Sequence, residues 1–378
     1  MLRIRRFGLV VGVCIAVTAS ALPAGAIGKA ATRVDVIATG LNNPRGLRFG
    51  SGGVLYVAES GLGAGDAQHG ALEGIGLTGS VTAISRPGAP HPVQRRIVSG
   101  LASVGVDENG IRVMGPAAVA PWGRGVKSGF DTIISAAAAA GTDLGKLVRI
   151  SRDWGQKTVL ADPGSFDLQW TLEHMNDSFA PPNQFPDANP YDLLVSNGHT
   201  YVVDAASNTL DEILPDGTVQ ILAYFPNSAV SDVVPTCLDR GPDGALYVGA
   251  LDLAGFVTQG PGTASVYRVD PAATNPNDLN TVLNVATIWA TGFTTITGCT
   301  FSPQGDFYAT EMFAGDVVRV PFAHPATGRT ILGAGQLTLP SGVAVAPNGA
   351  VYVSNFTDSP QAGTGEVVRI RTHATTAG

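Results

Sequence analysis

The chain has 378 residues, 44% of them hydrophobic and 14% charged, with a formal net charge of −7; it can bury a large core, which excludes a disordered protein. So few charges with an acidic balance exclude a nucleic-acid partner, whose phosphates call for a basic face. Gly at 48 and Pro at 25, without a collagen-like period, fit a protein of many strands and turns.

The chain opens MLRIRRFGLVVGVCIAVTASALPAGA. Three arginines, an apolar run from Phe7 to Ala19 and the small residues Ala24-Gly25-Ala26 are the three parts of an export signal, with cleavage expected after Ala26. The run is short of the ~20 residues a spanning helix needs. We expect residues 1–26 to be removed, 27–32 to be a linker, 33–372 to fold, and 373–378 to be a disordered tail. No later segment is apolar enough to span a bilayer, so the mature protein is expected outside the cytoplasm, as a monomer. Cys237 and Cys299 remain there; a disulfide and two free buried thiols are both compatible with their spacing.

From Pro44 the sequence repeats. PRGLRFGSGGVLYVAE reads as a strand, a Gly-rich turn and a second strand ending in Glu59. The pattern recurs as PTCLDRGPDGALYVGA from Pro235 and PSGVAVAPNGAVYVSN from Pro340, and in diverged form as PYDLLVSNGHTYVVD from Pro190 and ITGCTFSPQGDFYATE from Ile296. Each unit continues into a third strand: GSVTAI, GKLVRI, NTLDEI, ASVYRV, GDVVRV and GEVVRI in order. Unit two, MGPAAVAPW with FDTIIS, is the most degenerate. Fourth strands follow, among them PVQRRIVSG, QKTVLA, TVQILAYF and NTVLNVATIWA. Pro190 and Pro235 stand 45 apart, a period that fits a four-stranded blade.

Six such units predict an all-β, six-bladed β-propeller of four-stranded antiparallel blades. The last unit lacks a fourth strand, while an orphan strand, RVDVIAT at 33–39, precedes the first. We expect that orphan to complete the last blade and close the ring. The extra residues at 60–78, 101–112, 162–189, 251–262 and 356–364 all fall where first strands begin and second strands end, here called the upper face. The lower turns GSGG, GPDG, SPQG and APNG stay tight. Loops grafted on one face of a rigid scaffold are where binding usually lives.

Glu59, Asp204, Glu311 and Asn355 end second strands at equivalent positions. Converging on the axis, they would form an oxygen-rich cage for Ca²⁺ or Mg²⁺; the competing expectation is that each accepts backbone hydrogen bonds from a nearby loop. Arg45 is expected at the upper mouth, holding an anionic group or pairing with Glu59. Tyr191, Asp192 and Thr236 are expected as pocket wall. The stretch 170–191, WTLEHMNDSFAPPNQFPDANPY, carries Glu173 and His174 and is expected to lie over the mouth as a lid. No nucleophile elbow, zinc-protease motif, phosphate loop or dinucleotide fingerprint is present.

LNNPRGLRFGSGGVLYVAES, ANPYDLLVSNGHTYVVDAASNTL, VPTCLDRGPDGALYVGALDLAGF and GTASVYRV together resemble the ScyD/ScyE family of exported bacterial propellers, within the wider NHL-like and gluconolactonase-like group. The resemblance implies a cation at the channel mouth held by Glu59, Asp204, Glu311 and Asn355. It also implies a small-molecule binder, with metal-dependent hydrolysis of a lactone or cyclisation as candidate reactions. The sequence departs from the family where 61–78 lacks paired cysteines and where GALDLAGF ends a second strand without an acid. The other class of function is a non-catalytic extracellular scaffold that binds a protein or cell-surface partner through the upper loops.

Overall fold

The computed structural model describes residues 28–30, 32–107, 111–124, 127–151, 156–177, 186–228 and 230–372. The expected export signal, the C-terminal tail and residues 178–185 of the expected lid lie outside them. Six sheets form the blades of a propeller. The innermost strands are Pro44–Phe49, Pro116–Arg124, Pro190–Ser196, Pro235–Arg240, Ile296–Phe301 and Val343–Val345 in blades 1 to 6. In each blade the second, third and fourth strands follow outward in antiparallel order.

Second strands carry the repeat because they are buried on both faces. Leu246–Ala250 and Phe307–Glu311 are buried at every position, so LYVGA is apolar throughout and FYATE is apolar up to Thr310 and Glu311, without strict polar alternation. Their tyrosines pack between blades. Tyr247 is buried edge-on against Trp289 at 5.1 Å and Phe301 at 5.0 Å, a geometry that adds about 0.5–1.5 kcal/mol per pair to the area buried. The tight lower turns work through local geometry: in GPDG, Gly241 N–H donates to Ala245 C=O, and Gly244 takes φ 83°, a conformation that glycine enters without steric cost.

The ring closes as expected. Thr32–Leu41 runs antiparallel to Gly365–Thr372, with Val34 opposite Ile370 and Val36 opposite Val368, and becomes the outer strand of blade 6.

Several expectations need correction. Two blades have five strands. In blade 1 the extras at 60–78 and 101–112 are partly a tall hairpin, Gly74–Ser85 with Val93–Asp107, to which Ile111–Met114 adds. In blade 5 Gly28–Lys29, expected as linker, pairs in parallel with Thr330–Leu332. The stretch 162–189 contains helix α1, Pro163–His174, whose side chains pack on the flank of blade 3, with Trp170 5.5 Å from Tyr224. Helix α2, Leu253–Gln259, follows the second strand of blade 4. NTVLN, expected as strand, is helix α3, Leu279–Asn284, because Asp278 caps it by accepting from Asn280 N–H. Cys237 and Cys299 form a disulfide between the inner strands of blades 4 and 5, their Cα atoms 5.5 Å apart.

Candidate functional site

A β-bulge follows the first residue of the inner strand in blades 1 to 5, as shown by register shifts after Pro44, Pro116, Pro190, Pro235 and Ile296. A bulge inserts one extra residue and re-aims its side chain. The extra residues are Arg45, Ala117, Tyr191, Thr236 and Thr297; the last four line the channel. One residue further along stand Gly46, Ala118, Asp192, Cys237, Gly298 and, in blade 6, Gly342. Small side chains are required there because the inner strands crowd one another. A Cβ on Gly298 would lie 2.3 Å from Ser341 O, and one on Gly342 2.4 Å from Arg45 O.

Asp192 is the exception at that level. Its oxygens accept from Leu193 N–H and, across to blade 4, from Leu238 N–H, both at 2.8 Å. Burial pushes its pKa up to about 6, against the pull of Arg48. Arg48 reaches across the channel to Asp239, 3.6 Å away. The cavity enclosed here is about 20 Å³, room for about one water. The enclosed channel is thus too small for an organic molecule.

The mouth is built around Arg45. Its guanidinium donates to Tyr191 Oη and to Val113 C=O, each at 3.1 Å, and lies 5.9 Å from the Tyr191 ring centre. Burial works against its charge, while Tyr191 and Asp358 favour it, and the net effect is a raised pKa. Among the described residues Arg45 makes no ion pair; the expected pairing with Glu59 is replaced by Arg96 on Glu59 at 2.5 Å. Thr236 shares the channel wall with Tyr191 and donates to Ile296 C=O at 2.6 Å. Glu173 is not brought to it. That residue lies exposed on α1, accepting from Gln169 at 2.7 Å, and α1 lines a separate cavity with Trp170 and His174.

The blade-end groups do something else. Glu59 accepts from Asn42 N–H at 2.9 Å, Thr82 Oγ1 at 2.6 Å and Arg96. Asp204 accepts from Asn189, Ala206 and Ser207 N–H. Glu311 accepts from Thr294 N–H, and Asn355 accepts from Thr338 N–H at 2.7 Å while donating to Glu366. In every case an oxygen holds the loop that leads into its own blade's inner strand. Spent in this way on four separate blades, the donors do not fit one shared Ca²⁺ or Mg²⁺. Among the described residues no group of three or more His, Cys, Asp or Glu is arranged to hold a metal ion.

Of the residues singled out in the sequence, the structure brings Arg45 against Tyr191 and sets Tyr191 and Thr236 on the same channel wall; Arg48 and Asp239 were not among them. The available signal was the repeat itself: both stand where the equivalent residues of blades 2 and 6 are Ala120 and Ala344.

No protein-family model matches the chain, and no curated protein sequence matches it. Solved structures match its fold. A protein described provisionally as a gluconolactonase superposes with TM-score 0.50 at 12% identity, covering 92% of this chain and 94% of that one. A luciferin-regenerating enzyme gives 0.51 at 11% identity, over 91% and 96%. The PQQ-bound aldose sugar dehydrogenase of Streptomyces coelicolor gives 0.50 at 11% identity, over 92% and 100%. At these identities the likeness is one of fold, that of a six-bladed β-propeller. The likeness to ScyD/ScyE rests on the quoted motifs alone.

Proposed function

We propose that this propeller binds a small organic anion at its upper mouth, with Arg45 as the anchor and Tyr191 as the group that orients it. One observation carries the reading: a largely buried guanidinium is held in place by two neutral oxygens, Tyr191 Oη and Val113 O, and by no described carboxylate contact. A cation positioned in this way offers its remaining N–H donors to a carboxylate. Asp192 follows Tyr191 in the same inner strand, and burial raises its pKa to about 6, so ligand affinity should depend on pH. We also propose that the protein is exported, on the strength of its N-terminal pattern and the Cys237–Cys299 disulfide.

Screening purified mature protein against small carboxylates and lactones, by thermal shift and then calorimetry, tests this. A hydrogen bond to a charged group contributes about 1.5–3 kcal/mol, so Arg45→Met should weaken the best ligand roughly 10- to 150-fold. Tyr191→Phe should cost less. Equal affinity in wild type and Arg45→Met would overturn the reading. Lactone and ester hydrolysis, assayed with and without Ca²⁺ or Mg²⁺, asks separately whether binding leads to the metal-dependent chemistry that the family resemblance implies.

A second reading, docking of a protein on the upper loops, is favoured by exposed apolar groups there. Val230, Val257, Phe313 and Phe356 are all at least 36% exposed, and Phe256 stacks on Phe313 at 5.3 Å to join α2 to blade 5. That binding would survive Arg45→Met and fail on Phe313→Ser.

A further inference from the structure

Three carboxylates share one buried space between α1 and blade 3. Asp167 comes from α1, Asp204 from the end of the second strand and Asp211 from the third, and all three are 0% exposed. The register sets Asp204 opposite Thr209 and Asp211 opposite Val202, which puts Asp204, Thr209 and Asp211 on one face. It is the face where Val202 and Ile213 pack on Leu147 and Ala161 of blade 2. Thr209 donates to Asp167 Oδ1 at 3.4 Å, which sets Asp167 against that same face.

The three are not served alike. Asp204 receives three backbone N–H groups, which oppose the upward push of burial on its pKa. Asp167 has only the Thr209 hydroxyl at 3.4 Å, and its Oδ2 and both Asp211 oxygens meet no donor. None of the three makes a described ion pair. Burial pushes both Asp167 and Asp211 well above the usual carboxylate range; neighbouring carboxylate charge adds to it for Asp167, while a hydrogen bond from a protonated Asp167 works the other way for Asp211. The titratable groups acting on Asp167 and Asp211 are each other and Asp204; Leu147 and Ala161, which face them from blade 2, are apolar. Leaving unpaired charges buried side by side costs several kcal/mol per ion. A proton held between them removes that cost and supplies the missing donor.

We infer that Asp167 and Asp211 share a proton, and that this carboxylic acid–carboxylate contact latches α1 onto blade 3 and loosens it as the pH rises. In the folded state the pair keeps a proton that the unfolded chain gives up at the ordinary carboxylate pKa. The latch is therefore at full strength below that value and is lost progressively as the pH rises through the raised folded value. The latch has a consequence beyond stability. Phe166, Trp170 and His174 of α1 form one wall of a cavity of about 430 Å³, with Val219 and Ile221 of blade 3 and Val282 of α3 opposite. Loosening α1 moves that wall.

Hydrogen exchange of residues 163–174 in the full mature chain, corrected for intrinsic rates between pH 5 and pH 9, tests this. Wild type should lose at least tenfold in protection of α1 over that range, while protection of blade 6 changes less. Asp211→Asn supplies a permanent N–H donor to Asp167 and should make the α1 profile flat. Should that variant fail to fold, Asp167→Asn tests the same contact from the helix side. A wild-type profile as flat as that of the variant, or a variant as steep as wild type, would overturn the proposal. So would restoration of α1 protection at pH 9 by added Ca²⁺, since a cation and not a proton would then neutralise the pair.

Discussion

Asn43, Val234 and Thr295 stand immediately before the inner strands of blades 1, 4 and 5, and Leu339 before Pro340, the equivalent position of blade 6, with φ of 51°, 49°, 52° and 44°. Left-handed backbone costs a residue with a Cβ on the order of 1–3 kcal/mol unless its surroundings over-determine it. The blade-end groups supply part of that restraint in three of these blades. Glu59, Glu311 and Asn355 hold the N–H one residue before the left-handed position, while Ser60, Met312 and Thr357 donate to the left-handed residue's own C=O. In blade 4, where Ala250 has nothing to offer, Asn208 accepts from Val234 N–H at 2.9 Å instead. Asn355→Ala should therefore leave Thr338 N–H without its acceptor and cost about 1–3 kcal/mol, read from the urea midpoint. Glu311 allows a pH test. Burial, then the charge of Asp316, raises it to about 8. The folded state holds a proton that the unfolded state loses near 4.5, so this contribution falls as pH rises from there through 8. Glu311→Gln should flatten that part of the stability profile; an unchanged slope would mean the proton resides elsewhere. The equivalence of Glu59, Asp204, Glu311 and Asn355 was legible in the repeat spacing. Their direction was not, because it is set by N–H groups of the loops entering each blade, at Asn42, Asn189, Thr294 and Thr338, and nothing in the spacing announces which groups those loops present.

At the scale of elements, what could be read depended on whether the signal was local. The strands carry their own burial pattern and turn residues, and five of the six inner strands fall where the repeat put them. Helix α1 had its start written in Asp162-Pro163, an N-cap that accepts from Ser165 N–H followed by a proline in the first turn. The prolines and polar residues after Trp170 suggested an irregular lid instead. Helix α3 was misread because Leu, Val and Thr suit a strand equally well, and only the cap at Asp278 breaks the tie. The disulfide is of the opposite kind: two positions on different blades meet only once the ring exists. Its 62-residue separation gives a chain-entropy contribution of about 4 kcal/mol. Replacing both cysteines by alanine should lower the melting temperature, and a reducing agent should have no further effect on that variant. A wild-type melting temperature indifferent to reduction would show that the two thiols are free.

The molecule as a whole is a ring held at every junction and closed at one. Around the axis a polar side chain bridges each pair of neighbouring blades: Ser60 to Pro116 O, Ser135 to Asn189, Asp192 to Leu238 N, Thr236 to Ile296 O, Thr297 to Pro340 O and Ser354 to Arg45 O. Five junctions are also joined by continuous chain. The sixth, between blades 6 and 1, depends on Thr32–Leu41 lying in blade 6 before the chain enters blade 1. Ile37, Ala38 and Leu41 are buried there among Leu47, Leu55, Tyr352 and Val367. Burying an isoleucine or leucine contributes about 1.5–3 kcal/mol, and each ladder hydrogen bond adds about 1 kcal/mol net. Together these approach the ~5–15 kcal/mol that holds a whole domain folded. A chain starting at Asn42 should therefore lose its cooperative melt and associate through the exposed edge of Gly365–Thr372, as read by calorimetry and size-exclusion chromatography. A peptide of residues 28–41 added in trans should restore a single transition, because it returns the missing strand without the covalent link. A circular permutant that joins Thr372 to Thr32 and opens in the exposed lower turn at Asn348 should melt as wild type does. If the truncated chain melts unchanged on its own, closure by this strand is not what makes the ring one cooperative unit.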